Sequence, residues 1–96
     1  MGAEVKNSYR TPGDTNEHVI HVGRCLVWGV FPENTTNDII TLRDGAVADG
    51  SGTTMSVSAA ALTQEGKEFG GVFFGAGLTV QLANALDLSE IVWEAL

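Results

Sequence analysis

The chain has 96 residues, with 5 Lys and Arg against 12 Asp and Glu, a formal net charge of −7. At 44% hydrophobic and 18% charged it reads as one small folded domain, not a disordered segment. The scattered Lys6, Arg10, Arg24, Arg43 and Lys67 form no basic patch for nucleic acid phosphates, and no apolar run is long enough for a membrane-spanning helix.

Residues 1–16, "MGAEVKNSYRTPGDTN", offer only Val5 and Tyr9 as sizeable apolar anchors, and Pro12-Gly13 interrupts them. This composition predicts a flexible N-terminal arm that orders against something else, ahead of a folded domain over 17–96. The opening lacks the apolar core of a signal peptide, and Lys6 stands where a myristoylation pattern wants Ser or Thr. Synthesis in a cytoplasm is the expectation.

From there the chain reads as strands. "CLVWGVF" (25–31) is apolar on both faces, as in a central strand covered on two sides or one keeping an apolar patch for assembly. "DIITLRD" sets Ile40 and Leu42 against Ile39, Thr41 and Arg43. "TTMSVSA" sets Met55, Val57 and Ala59 against Thr54, Ser56 and Ser58. "MSVSAAALTQEGKEF" is the one stretch with helical leanings; Ser, Thr and Val dilute them, which favours a strand followed by a loop. "GGVFFGAGL" sends Phe73 and Phe74 to opposite faces. "LTVQL" alternates cleanly, and "EIVWE" sets Ile91 and Trp93 against Glu90, Val92 and Glu94. Period two marks half-buried strands, and Gly, Asn, Asp and Pro gather between them at 32–37, 44–52, 65–71 and 83–87. The expected fold class is all-β, an antiparallel β-sandwich or jelly roll.

The stretch most like a chemical site is "IITLRDGAVADGSGTTM" (39–55). Its acids lack the alternation of a calcium loop, and its glycines lack the Gly-Lys-Ser/Thr of a phosphate loop. Asp-Gly and Gly-Ser-Gly between alternating segments instead mark a hairpin turn. Such a turn should tolerate replacement of Asp44 or Asp49 to within about 0.5–1 kcal/mol. His18 and His21, three apart on a strand, should point to opposite faces and share no metal. Cys25, the single cysteine, sits among apolar neighbours as a buried thiol. No nucleophile, paired-carboxylate, metal or cofactor pattern is present, so the expectation is a non-enzyme with no cofactor.

The ordered features over 24–94 resemble small β-sandwich virion proteins of tailed bacteriophages, the capsid decoration (cement) proteins and their head and tail relatives. The resemblance rests on "RCLVWGVFPENTTND", "IITLRDG", "SGTTMSV", "FGGVFFGAGLTVQL" and "EIVWE". It implies a structural protein on the capsid surface, synthesised in the host cytoplasm and bound to the major capsid protein lattice, a homotrimer with no nucleic acid or membrane partner. The contact residues expected under it are Val5 and Tyr9 of the arm together with Trp28, Phe31, Phe73 and Phe74. Alternatives are a tail or fibre component, a carbohydrate-binding module using Trp28 or Trp93, and a small β-barrel enzyme for which no residues stand out.

Overall fold

The computed structural model describes residues 6–32, 39–58, 67–83 and 89–96. They form eight strands: β1 (Asn7–Arg10), β2 (His18–Val22), β3 (Cys25–Pro32), β4 (Ile39–Asp44), β5 (Thr53–Ser58), β6 (Lys67–Phe74), β7 (Gly77–Leu82) and β8 (Ser89–Ala95). One sheet runs β1-β8-β3-β6 and the other β2-β7-β4-β5, every neighbour antiparallel. No helix occurs among the described residues. The two sheets pack face to face as a β-sandwich, the expected fold class.

Alternation along the strands builds the core. Leu78, Val80 and Leu82 of β7 are buried beside Ile40 and Leu42 of β4, and across the sandwich lie Cys25, Val27 and Val30 of β3 with Ile91 of β8. Each fully buried Leu or Ile contributes about 1.5–3 kcal/mol relative to an exposed one. Val27 and Val30 are three apart, so strict alternation would send them to opposite faces. A register shift between Val27 and Gly29 absorbs the extra residue and returns Val30 to the core.

Two boundaries differ from the sequence expectation. Part of the expected arm is a strand: Asn7–Arg10 pairs with β8, Asn7 opposite Trp93 and Arg10 opposite Glu90. Thr11 then closes a two-way lock, donating its N–H to the Ser89 carbonyl at 2.8 Å and accepting the Ser89 N–H on Oγ1 at 2.9 Å. Backbone pairing, plus Tyr9 packed on the core, supplies the ordering that side-chain composition did not reveal. Second, β6 starts at Lys67, inside the region read as a turn. Gly70 and Gly71 take φ of 72° and 90° within the strand. The pairing accordingly passes from Val27 with Val72 to Gly29 with Glu68, so the glycines form an irregularity in a ladder that continues on either side of them. Of the stretch with helical leanings, 55–69, residues 55–58 belong to β5 and 67–69 to β6, and 59–66 fall outside the described residues.

Candidate functional site

The Asp/Gly-rich stretch is a hairpin end, closed by β4 and β5 with Asp44 opposite Thr53. Its acids are spent on backbone. Asp44 receives the N–H of Gly75 at 2.9 Å and of Ala76 at 2.7 Å, with that of Gly77 at 3.4 Å, and so caps the β6–β7 turn beside it. Burial pushes the Asp44 carboxyl up, but these N–H groups outweigh it and hold it below the ordinary aspartate value. Asp49 accepts the Ser51 N–H at 2.9 Å and the Ser51 hydroxyl, a local turn that lowers its carboxyl. The hairpin is pinned to its own sheet: the Gly50 N–H donates to Glu17 Oε2 at 2.9 Å, Arg43 donates to the Gly50 carbonyl at 3.2 Å, and Arg43 Nε lies 3.3 Å from Glu17 Oε1. Among the described residues no group of three or more His, Cys, Asp or Glu could hold a metal ion.

The histidines depart from the expected opposite faces. A bulge between Val19 and His21 leaves His18 opposite Val80 and His21 opposite Leu78, two residues of one face. Strand periodicity alone cannot show an inserted residue. Both rings are engaged elsewhere. His18 Nε2 meets Asp14 Oδ1 at 2.7 Å, a contact that lowers the Asp14 carboxyl. His21 stacks on Trp93 with ring centroids 4.7 Å apart.

The residues expected at a contact surface divide between inside and outside. Phe74, 4% exposed, is a core residue and unavailable to a partner; its position opposite Cys25 turns it inward. Tyr9 packs on the core too, and its hydroxyl is pushed up by burial and by Asp14. Tyr9 is thus held by β1 against the sandwich and only partly exposed. Phe73 is 57% exposed, as alternation requires. Val5 lies outside the described residues. Trp93 packs on the core, while Cys25 is fully buried with its thiol pushed up by burial and by Asp44.

Trp28 and Phe31 remain together on the outer face of the β1-β8-β3-β6 sheet. With Lys6, Glu68, Gly70 and Val92 they line an open groove of about 350 Å³. The Trp28 ring is tightly held. Its Nε1 donates to Glu94 Oε1 at 3.0 Å, and Lys6 Nζ sits 4.6 Å from the ring centroid. Gly71 presses against the six-membered ring, where a Cβ would come within 3.2 Å of Cη2. Sequence reasoning missed Lys6, Glu68 and Val92, which strands distant in sequence bring to this groove. The double apolarity of "CLVWGVF" was the available signal. The groove provides an apolar floor between one cationic and one anionic rim residue, an arrangement suited to binding.

No protein-family model, curated protein or solved structure matches the chain.

Proposed function

We propose that this chain is a non-catalytic structural protein of a bacteriophage virion, a decoration (cement) protein that binds the outside of the head lattice and stabilises it. The observation that carries the reading is the use of β3. Its Cys25, Val27 and Val30 side supplies the sandwich core, and its Trp28 and Phe31 side floors an outward groove. The sandwich core does not use this second apolar face, which is better accounted for by a docking partner. The acidic balance keeps copies soluble and disfavours contact with the packaged genome. The sandwich and the ordered motifs over 24–94 agree with the same reading.

A sugar-binding role is the weaker alternative. Stacking on a sugar wants an open aromatic face, and Lys6 and Gly71 already lie against Trp28. The test is reconstitution on virions stripped of the protein, using the natural chain and a Phe31→Ser/Val92→Ser variant of unchanged melting temperature. The natural chain should bind at a fixed copy number and raise the temperature at which particles break, as any ligand specific to the assembled state must. The variant should bind at least about tenfold more weakly. Failure of the natural chain to bind any particle, or its capture on a glycan array, would displace this reading.

A further inference from the structure

Two Asp-Gly bonds lie in the β4–β5 hairpin, Asp44–Gly45 and Asp49–Gly50, and the fold holds them differently. An aspartate followed by glycine can close into a five-membered succinimide, because no side chain beside the glycine nitrogen hinders its attack on the aspartate Cγ. Closure requires that the carboxyl swing onto that nitrogen and that the nitrogen give up its hydrogen bond. At Asp44–Gly45 both are opposed. Asp44 ends β4 between Thr53 of β5 and Leu78 of β7, and its carboxylate holds the N–H groups of Gly75 and Ala76. Gly45 is buried and donates its N–H to the Gly77 carbonyl at 3.2 Å. Asp49 and Gly50, by contrast, are exposed and lie outside any strand. The Asp49 carboxylate is bonded only within its loop, to Ser51. A Cβ on Gly50 would meet nothing within 4 Å. The hold on the Gly50 nitrogen is one side chain, Glu17, whose Oε2 accepts its N–H at 2.9 Å.

We infer that Asp49–Gly50 is a site of spontaneous backbone modification, where aspartate converts to isoaspartate, and that Glu17 sets the rate by holding the attacking nitrogen. The chemistry balances with water alone. The Gly50 nitrogen bonds to Asp49 Cγ, and the OH of the protonated carboxyl departs as water with the nitrogen's proton. Water then adds to one of the two ring carbonyls. Breaking the bond from the nitrogen to Cγ restores aspartate. Breaking the bond from the nitrogen to the Asp49 backbone carbonyl carbon leaves the chain running through Cγ, one backbone carbon longer, as isoaspartate. Ring closure proceeds from locally opened molecules, so its rate follows the local opening equilibrium. Opening at Asp44 disrupts a strand end and the neighbouring β6–β7 turn, whereas opening at Asp49 releases a loop tip from Glu17 and Ser51. Both carboxyls are held below their ordinary value, so acidity does not separate the two. The extra carbon shifts Gly50 against Glu17 and Arg43, so the modification loosens the hairpin tip that they pin. None of this depends on binding to a particle.

The test is storage of the full folded chain at physiological temperature and mildly acidic pH, beside the same chain in denaturant. Peptide mapping by mass spectrometry with electron-transfer fragmentation reads isoaspartate at each Asp-Gly bond over time. In denaturant the two bonds should convert at similar rates. In the folded chain Asp49 should convert at least about tenfold faster than Asp44, the factor that one or two further hydrogen bonds to break would impose. Glu17→Ala frees the Gly50 nitrogen and should raise the Asp49 rate several-fold while leaving Asp44 unchanged. Asp49→Glu, which would need a six-membered ring, should remove the signal at 49. Equal rates at the two bonds in the folded chain overturn the inference. So does a folded chain that shows no isoaspartate at Asp49 after the denatured chain has converted. A Glu17→Ala chain whose Asp49 rate is unmoved, or whose Asp44 rate rises equally, overturns the part assigned to Glu17, since the second result marks a general loosening of the hairpin.

Discussion

Replacing Asp44 tests how the two hairpin ends hold each other. In the sequence this aspartate is one turn residue among several; in the fold its carboxylate is the acceptor for the turn between β6 and β7, with two N–H groups within 3.0 Å. Asp44→Ala strands those donors, so the tolerance expected from the sequence for a turn aspartate does not extend to Asp44. A hydrogen bond to a charged group contributes about 1.5–3 kcal/mol when shielded, but Gly75 and Ala76 are exposed and water replaces much of the loss, leaving a cost of about 1–2 kcal/mol. For a domain of this size that lowers the melting temperature by about 4–16 °C. Asp44→Asn keeps an acceptor oxygen without the charge and should fall between the two. The pH dependence follows from the direction of the shift. The folded carboxyl is held below its ordinary value, so its contribution is fully present above the unfolded pKa of about 3.9 and is lost as pH falls through the folded value. Thermal melts at neutral pH and down the acid range should therefore show the gap between natural protein and Asp44→Asn closing as pH drops below about 4. A change of less than about 2 °C for Asp44→Ala at neutral pH would refute the reasoning. So would a gap that persists unchanged through the acid range, since the carboxylate would then not be holding the turn.

Other substitutions separate neighbours that look alike in sequence. Phe74→Ala should cost about 3–5 kcal/mol and Phe73→Ala within about 0.5 kcal/mol, read from urea unfolding, because only the first empties core volume. Gly52→Ala should destabilise the hairpin more than Gly50→Ala: both have positive φ, but a Cβ on Gly52 would come within 2.3 Å of the Asp44 carbonyl oxygen, whereas one on Gly50 meets nothing within 4 Å. The Gly50 change should cost about 1–2 kcal/mol from conformation alone, and calorimetry orders the pair. Cys25 should resist a disulfide-forming thiol reagent in the native state even at mildly alkaline pH and react at once in denaturant, since burial both blocks the thiol and disfavours its thiolate. Added calcium, or EDTA, should leave the melting temperature unmoved, because Asp44 and Asp49 already bind backbone and Ser51.

The sequence by itself determined the class of fold and most strand positions. Ile40/Leu42 and Leu78/Val80/Leu82 each fall on one side of a pleat, and a side-chain period of two admits only one buried face. It also determined that Phe73 and Phe74 part company, and that "RDGAVADGSG" turns the chain. It did not contain the three register irregularities, at Trp28, at Ile20 and at Gly70–Gly71, because an extra residue in one strand is defined only against its partner strand. Those irregularities return Val30 to the core, put His18 and His21 on one face, and lay Gly71 against the Trp28 ring. Nor could composition show that Asn7–Arg10 is a strand, since what holds it is the backbone of β8 and the Thr11–Ser89 lock. The groove is tertiary in the same sense: Lys6, Trp28, Glu68 and Val92 come from four separate parts of the chain and meet only because antiparallel pairing sets β1, β8, β3 and β6 side by side. Local sequence fixes which side of a strand is apolar; non-local hydrogen bonding decides which strands are neighbours, and therefore which side chains share a surface.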